Sequence, residues 1–233
     1  MSNENDFKIF LFVSLKKLII TALNSKSQNI YKKEFLINQN SNSINFEILN
    51  EFLNKNIFNI EKKLNKFVNS VFLIIDHDNF FSVNLSLKNK TSLNEINNEH
   101  INSLLIQAKN ECKKTLDGKR IIHAKINKFI IDDVEYFSLP SQKSCNILSI
   151  EVNFISLPVD YIKNFEKVFN KYQIFINKII CYNYLSNFLQ SESGDLFDSA
   201  VKILEGHNEN EVLLINENQD KKGFFERFFN YFN

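Results

Sequence analysis

Glycine is the feature that most constrains this sequence. There are only four in 233 residues, Gly118, Gly194, Gly206 and Gly223, and each stands alone. Loops that cradle phosphate need glycine where the backbone takes a positive φ or comes close to the ligand. Neither G-x-G-x-x-G nor G-x-x-x-x-G-K-[ST] can be written anywhere in the sequence, which excludes the common glycine-rich nucleotide fingerprints. The apolar share of 44% and 24 phenylalanines supply enough surface for a core, so wholesale disorder is excluded too. A net charge of +1 argues against a nucleic-acid partner.

Cys112, Cys145 and Cys181 are odd in number and far apart, which leaves neither a disulfide framework nor a C-x-x-C metal site and points to a reducing cytosol. The polar start, Asn3-Glu4-Asn5-Asp6, lacks the basic region of a signal peptide. Runs such as Val71 to Ile75 are too short to span a bilayer as helices.

Hydrophobic periodicity predicts an α+β chain. Three β-type runs, Ile9 to Val13, Leu18 to Leu23 and Ile30 to Ile37, come first. From Asn45 to Asn69 the period changes to three and four, giving one amphipathic helix or two in series. A short strand, Val71 to Ile75, precedes a clean alternation of Phe81, Val83, Leu85 and Leu87 with polar residues. A second helix carries Ile101, Leu104, Leu105, Ala108 and Cys112 and stops near Gly118. Strands follow at Ile122 to Ile130, Val134 to Phe137 across an Asp132-Asp133 turn, and Leu148 to Phe154. Pro158 opens a helix with Ile162, Phe165 and Phe169, then come a strand from Ile174 to Ile180 and short helices at Tyr182 to Leu189 and Leu196 to Leu204. Asn208 to Asp220 reads as a polar linker apart from Val212 to Ile215.

The last thirteen residues are the most sharply patterned. On a helical wheel Phe224, Phe225, Phe228, Phe229, Tyr231 and Phe232 fill one arc of about 160°, with Glu226, Arg227, Asn230 and Asn233 opposite. Such a helix either docks on its own domain or lies on a membrane surface, with Lys221, Lys222 and Arg227 meeting the phosphates of anionic lipids. Partial insertion of the aromatics at ~1 kcal/mol each gives an anchor on the order of 5 kcal/mol.

No credible catalytic constellation is present, and no catalytic residue, cofactor or metal ligand is assigned. Asp76-His77-Asp78 is the one compact cluster of ligand-type residues, and a polar turn between two strands explains it more simply. His100, His123 and His207 have no Asp, Cys or Ser at a telling spacing, and Asp195 and Asp198 fit a helix start.

The order of elements from Val68 to Phe188, with Ser70 to Asp76, Gly118 to His123 and Glu151 to Ile155 as strands, resembles the small SHS2 subdomain inserted in the actin-like fold of the bacterial FtsA cell-division family. The tail, Lys221 to Phe232, is similar to that family's C-terminal membrane-targeting helix. The first strands look like the opening hairpin of an actin-like fold whose phosphate loop has decayed: Phe12-Val13-Ser14-Leu15-Lys16-Lys17 keeps only Lys17 of the family's Asp-Ile-Gly-Ser/Thr-Ser/Thr-Lys pattern. The Asp that helps position a metal is Phe12, and the Gly that admits phosphate is Ser14.

The resemblance implies a degenerate actin-like remnant over 1–67, an SHS2-like interaction module over 68–190, a helix and polar linker over 191–220, and an amphipathic membrane helix over 221–233. It further implies a cell-division scaffold without ATPase activity, peripheral on the cytoplasmic face of the inner membrane. Divisome proteins, the tubulin-like FtsZ among them, and further copies of itself would be the partners. The family's FtsZ-contacting subdomain and the nucleotide-binding second half have no counterpart in the sequence. Two alternatives are a degenerate ATP-binding protein acting around Lys17 and a pilus-assembly scaffold of the PilM type, which shares the inserted subdomain.

Overall fold

The computed structural model describes residues 7–38, 41–93, 96–140, 144–191, 195–208 and 210–212. The chain divides into two compact units, residues 1–79 with 158–205 and residues 80–157 with 206–233.

The first unit is built on a five-stranded sheet from β1 (Lys8–Ser14), β2 (Lys17–Leu23), β3 (Asn29–Leu36), β4 (Ser70–Asp76) and β9 (Phe175–Cys181). Its order is β3-β2-β1-β4-β9. The first three strands run antiparallel as successive hairpins, while β4 lies parallel to β1 and β9 parallel to β4. Every residue of β1 and β2 after the first is buried, which is why both read as unbroken apolar runs and not as alternations. Helices lie on both faces. Tyr31 and Phe35 of β3 meet Asn56 and Phe52 of α1 (Phe46–Leu64), whereas Phe10 meets Phe197 of α5 (Leu196–Leu204) and Phe12 meets Tyr182 of α4 (Tyr182–Ser191). Three antiparallel strands extended by two parallel ones thus make one mixed sheet.

α1 is one helix, not two in series, and it ends sooner than its periodicity suggested. Asn45 caps its start, accepting from the backbone N–H of Glu47 and Ile48 at 3.0 and 3.1 Å. Asn65 ends it in the left-handed region at φ 51°, and the Glu61 carboxylate accepts from the Val68 N–H at 3.0 Å, so Phe67 and Val68 leave the helix. α3 (Val159–Asn170) starts at Pro158, which occupies the cap itself and not the first turn.

The second unit is a four-stranded sheet in the order β5-β8-β6-β7, from β5 (Phe81–Leu93), β6 (Lys119–Ile131), β7 (Val134–Tyr136) and β8 (Cys145–Pro158). It is crossed by α2 (Asn98–Thr115), whose Ile101, Leu104, Leu105, Ala108 and Cys112 pack on Ala124, Ile126, Leu148, Ile150 and Val152. Val83, Leu85 and Leu87 stand opposite Phe154, Val152 and Ile150 and pack on the same core. In β6 the core positions change from even to odd between Ile126 and Phe129, as one extra residue in a strand requires. The β6–β7 hairpin turns on Asp132 and Asp133, at φ 47° and 65°, the pair of positive values that a type I′ turn demands. The Asp132 carboxylate also accepts from the N–H of Asn146 at 3.0 Å and of Ile147 at 2.8 Å, holding β8 to the turn.

β4, α3, β9 and α4 belong to the first unit, and 80–157 to the second. Glu211 and Val212, in the stretch read as a polar linker, are buried. A strand edge can recruit a chain segment whatever the segment's average polarity, since the backbone makes the bonds.

Candidate functional site

In a sheet with parallel strands, ligands collect at the strands' carboxyl ends. Here β1 and β4 end side by side on Ser14 and Asp76, and Cys181 ends β9 beside Ile75. This is where the Ser14–Lys17 turn, the Asp76-His77-Asp78 cluster and the start of α4 meet.

The loop is closed upon itself. Ser14 Oγ accepts from the N–H of Lys16 at 3.3 Å and of Lys17 at 3.0 Å, and donates to the Lys17 carbonyl at 3.1 Å. The backbone donors that would have to face a phosphate are thus spent inside the turn. Phe12, 4% exposed, puts its ring 5.4 Å from Tyr182 in an edge-on contact, so two aromatics occupy this end of β1. Lys17, the one matching residue, directs its ammonium to Glu34 at 3.8 Å and over the Phe12 ring at 5.8 Å.

Across the strand ends, burial raises the Asp76 carboxyl, the Asp78 charge adds to that, and His77 works the other way. His77 Nδ1 accepts from the Asn79 N–H at 3.1 Å, and its ring lies 5.6 Å from that of Tyr161. Burial pushes the Tyr161 phenol up to about 12. The Cys181 thiol is raised by burial, with lowering bonds from the backbone of Tyr184 and Asn183. A thiol and a phenol so displaced are neutral at pH 7 and poor nucleophiles. Among the described residues no group of three His, Cys, Asp or Glu side chains is placed to hold a metal ion.

The remaining histidines and acids take structural places. His100 completes a capping box at the start of α2: its Nδ1 accepts from the Asn97 N–H at 3.2 Å, while Asn97 Oδ1 accepts from the N–H of Glu99 and His100. Asp195 caps α5, with Asp198 in its first turn. His207 is exposed. His123 was missed as a partnered group: its Nδ1 lies 3.0 Å from Glu211 Oε1, with both side chains essentially buried. The only sequence signal for that pair was the apolar run from Val212 to Ile215 that Glu211 precedes.

The residues expected at a membrane surface, Lys221, Lys222, Phe224, Phe225, Arg227, Phe228, Phe229, Tyr231 and Phe232, lie outside the described residues. Among the described residues no helix is long and apolar enough to cross a membrane.

Fold and site together define a mixed α+β chain, in which a five-stranded sheet with parallel and antiparallel strands is accompanied by a unit of strand, helix and three further strands. No family model and no curated protein matches the sequence. Among solved structures, similarity is found to the cytoplasmic domain of EpsL, an inner membrane component of the type II secretion system of Vibrio cholerae, with 9% identity and a TM-score of 0.36 over 77% of this chain and 57% of that one. The PilM–PilN type IV pilus biogenesis complex gives 6% identity and a TM-score of 0.44 over 86% of this chain and 70% of that one. A Bacteroides thetaiotaomicron protein with an actin-like ATPase fold and unknown function gives 13% and 0.31, over 82% of this chain and 59% of that one. The matches thus span less than two thirds of the EpsL and Bacteroides chains.

Proposed function

We propose that this chain is a non-catalytic scaffold of a cell-envelope machine, which uses an actin-like sheet as a rigid platform and the inserted unit to bind a protein partner. The observation that carries it is the Phe12–Tyr182 contact at the carboxyl ends of the strands, together with the Ser14 turn that consumes its own donors. An actin-like chain that has filled its phosphate position with aromatics keeps the architecture for something other than hydrolysis. Its place of work in this reading is the cytoplasmic face of the inner membrane.

Calorimetric titration with magnesium and ATP tests the absence of nucleotide chemistry, and measurable saturable heat would sink the reading. Co-sedimentation with vesicles containing anionic lipid, of the full chain against a chain ending at Asp220, tests the membrane helix. Equal pelleting removes it.

For the machine served we favour a pilus- or secretion-assembly apparatus of the PilM type, with a membrane-anchored protein as partner. The order of the inserted unit, a strand, a helix and three further strands, fits that reading as well as it fits cell division. The FtsA-type division reading, with FtsZ and other divisome proteins as partners, rests on the Phe-rich tail pattern. A fluorescent fusion in growing cells separates the two: a ring at the division site supports division, and foci unrelated to septa support pilus or secretion assembly.

A further inference from the structure

β3 is the last strand on its side of the first unit's sheet, and no strand among the described residues pairs with its outer edge. Its pairing with β2 fixes which backbone groups face outward. The Ile37 N–H donates to the Lys16 carbonyl at 2.8 Å, so by the alternation of antiparallel hydrogen bonds Tyr31, Lys33 and Phe35 also turn their backbone groups to β2. Lys32, Glu34 and Leu36 present theirs to the outside. The irregularity opposite Ala22 and Leu23 interrupts this alternation before Tyr31, which leaves residues 31–36 as a regular edge without glycine or proline. Residues 32–36 are all exposed, Phe35 at 44% and Leu36 at 62%.

We propose that two copies of the chain pair antiparallel through β3, joining their sheets edge to edge across a twofold axis. Such a match sets outward residues against outward residues, which in this strand means even-numbered against even-numbered. Two registers keep most of the regular edge. One centres on Lys33 and sets Lys32 opposite Glu34 of the second copy, twice over by symmetry. The other centres on Glu34 and places that carboxylate against its own copy, so charge selects the first. In the selected register Tyr31 stands opposite Phe35 on the face that bears α1, where Tyr31 bonds Asn56 and Phe35 meets Phe52. Lys32 and Glu34 lie on the other face, beside Phe197 and Lys17. Charges on an edge strand ordinarily discourage pairing, and Lys33, which meets its own copy on the axis, does so here. Lys32 and Glu34 do the reverse once a second β3 arrives in this orientation.

Sedimentation equilibrium of the full chain tests this. The edge is short, so the wild type should dimerise with a Kd on the order of 0.1 mM. Lys32→Glu and Glu34→Lys each set like charges opposite one another and should weaken the dimer at least about tenfold. Mixing those two variants, or combining both changes in one chain, should restore the wild-type affinity. Lys32→Pro removes only an outward-facing N–H, so it should abolish the dimer and keep the thermal unfolding transition. A wild type still monomeric at about 1 mM overturns the proposal. Self-association that persists in Lys32→Glu and in Lys32→Pro also overturns it, by assigning the contact to another surface. Should Lys32→Pro fail to fold, the mixture decides: recovery of the dimer supports the register, and two variants that stay monomeric together overturn it.

Discussion

His123 and Glu211 are separated by 88 positions in sequence, yet their side chains meet at 3.0 Å inside the second unit. Removing one member of a buried charge-capable pair strands the other, at about 3–5 kcal/mol. His123→Phe and Glu211→Leu should each cost on that order in urea unfolding. The double variant His123→Phe with Glu211→Leu should recover most of the loss. Additive losses in the double variant would show that the two do not act as a pair.

Phe12 and Lys17 differ in what they do, although they flank the same turn after β1 and touch each other. Phe12→Ala should cost about 3–5 kcal/mol, because the ring is buried against Tyr182 and Lys17. Lys17→Ala, whose ion pair is long and half exposed, should change stability by no more than about 0.5 kcal/mol. Denaturant midpoints check both, and neither variant should alter the response to magnesium and ATP.

Asn65 stops α1 at a positive φ of 51°. Asn65→Gly should be neutral or stabilising by up to about 1 kcal/mol, and Asn65→Ala should be destabilising by about 1 kcal/mol, because a Cβ without a compensating local hydrogen bond is strained in that region. Thermal unfolding of the three proteins gives the order.

Lys109 provides the pH dependence. Burial, and secondarily the charge of Lys113, lowers its ammonium from the ordinary 10.5 to about 8. Between those values the unfolded chain holds more protons than the folded one, so this group makes stability rise with pH from about 8 to 10.5. The Cys112 thiol, pushed by burial from 9.0 up to about 11, has the opposite sign: above pH 9.0 the unfolded chain releases its proton first, and stability falls. Lys109→Met should therefore be more stable than the wild type at pH 7, by on the order of 1 kcal/mol, with the difference shrinking as pH passes 8. A difference independent of pH from 7 to 9.5 would assign the effect to packing alone.

Much of the fold was legible because its signals are local. The continuous apolar runs of β1 and β2, the alternation in β5, the three-and-four spacing in α1 and the Asp132-Asp133 turn each express a backbone period or a φ requirement carried by a few neighbouring residues. The end of α1 was less legible, since Phe67 and Val68 continue its apolar spacing while Asn65 and Glu61 stop it through specific hydrogen bonds. Which sheet each strand joins was not legible for a different reason. β4 and β9 read like any other strands, and only their parallel pairing with each other and with β1 assigns them to the first sheet.

By itself the sequence determined which segments become helices and strands, and that no glycine-rich phosphate loop is present. Those properties depend on residue type and short-range spacing. Tertiary structure decided what packs around the turn after β1. That Phe12 packs on Tyr182, from a helix 170 residues later, and that Glu211 crosses to His123 follow from which strand edges and faces the fold brings together. Neither contact has a local signature, because its energy comes from burying surfaces that are neighbours only once the sheets have formed.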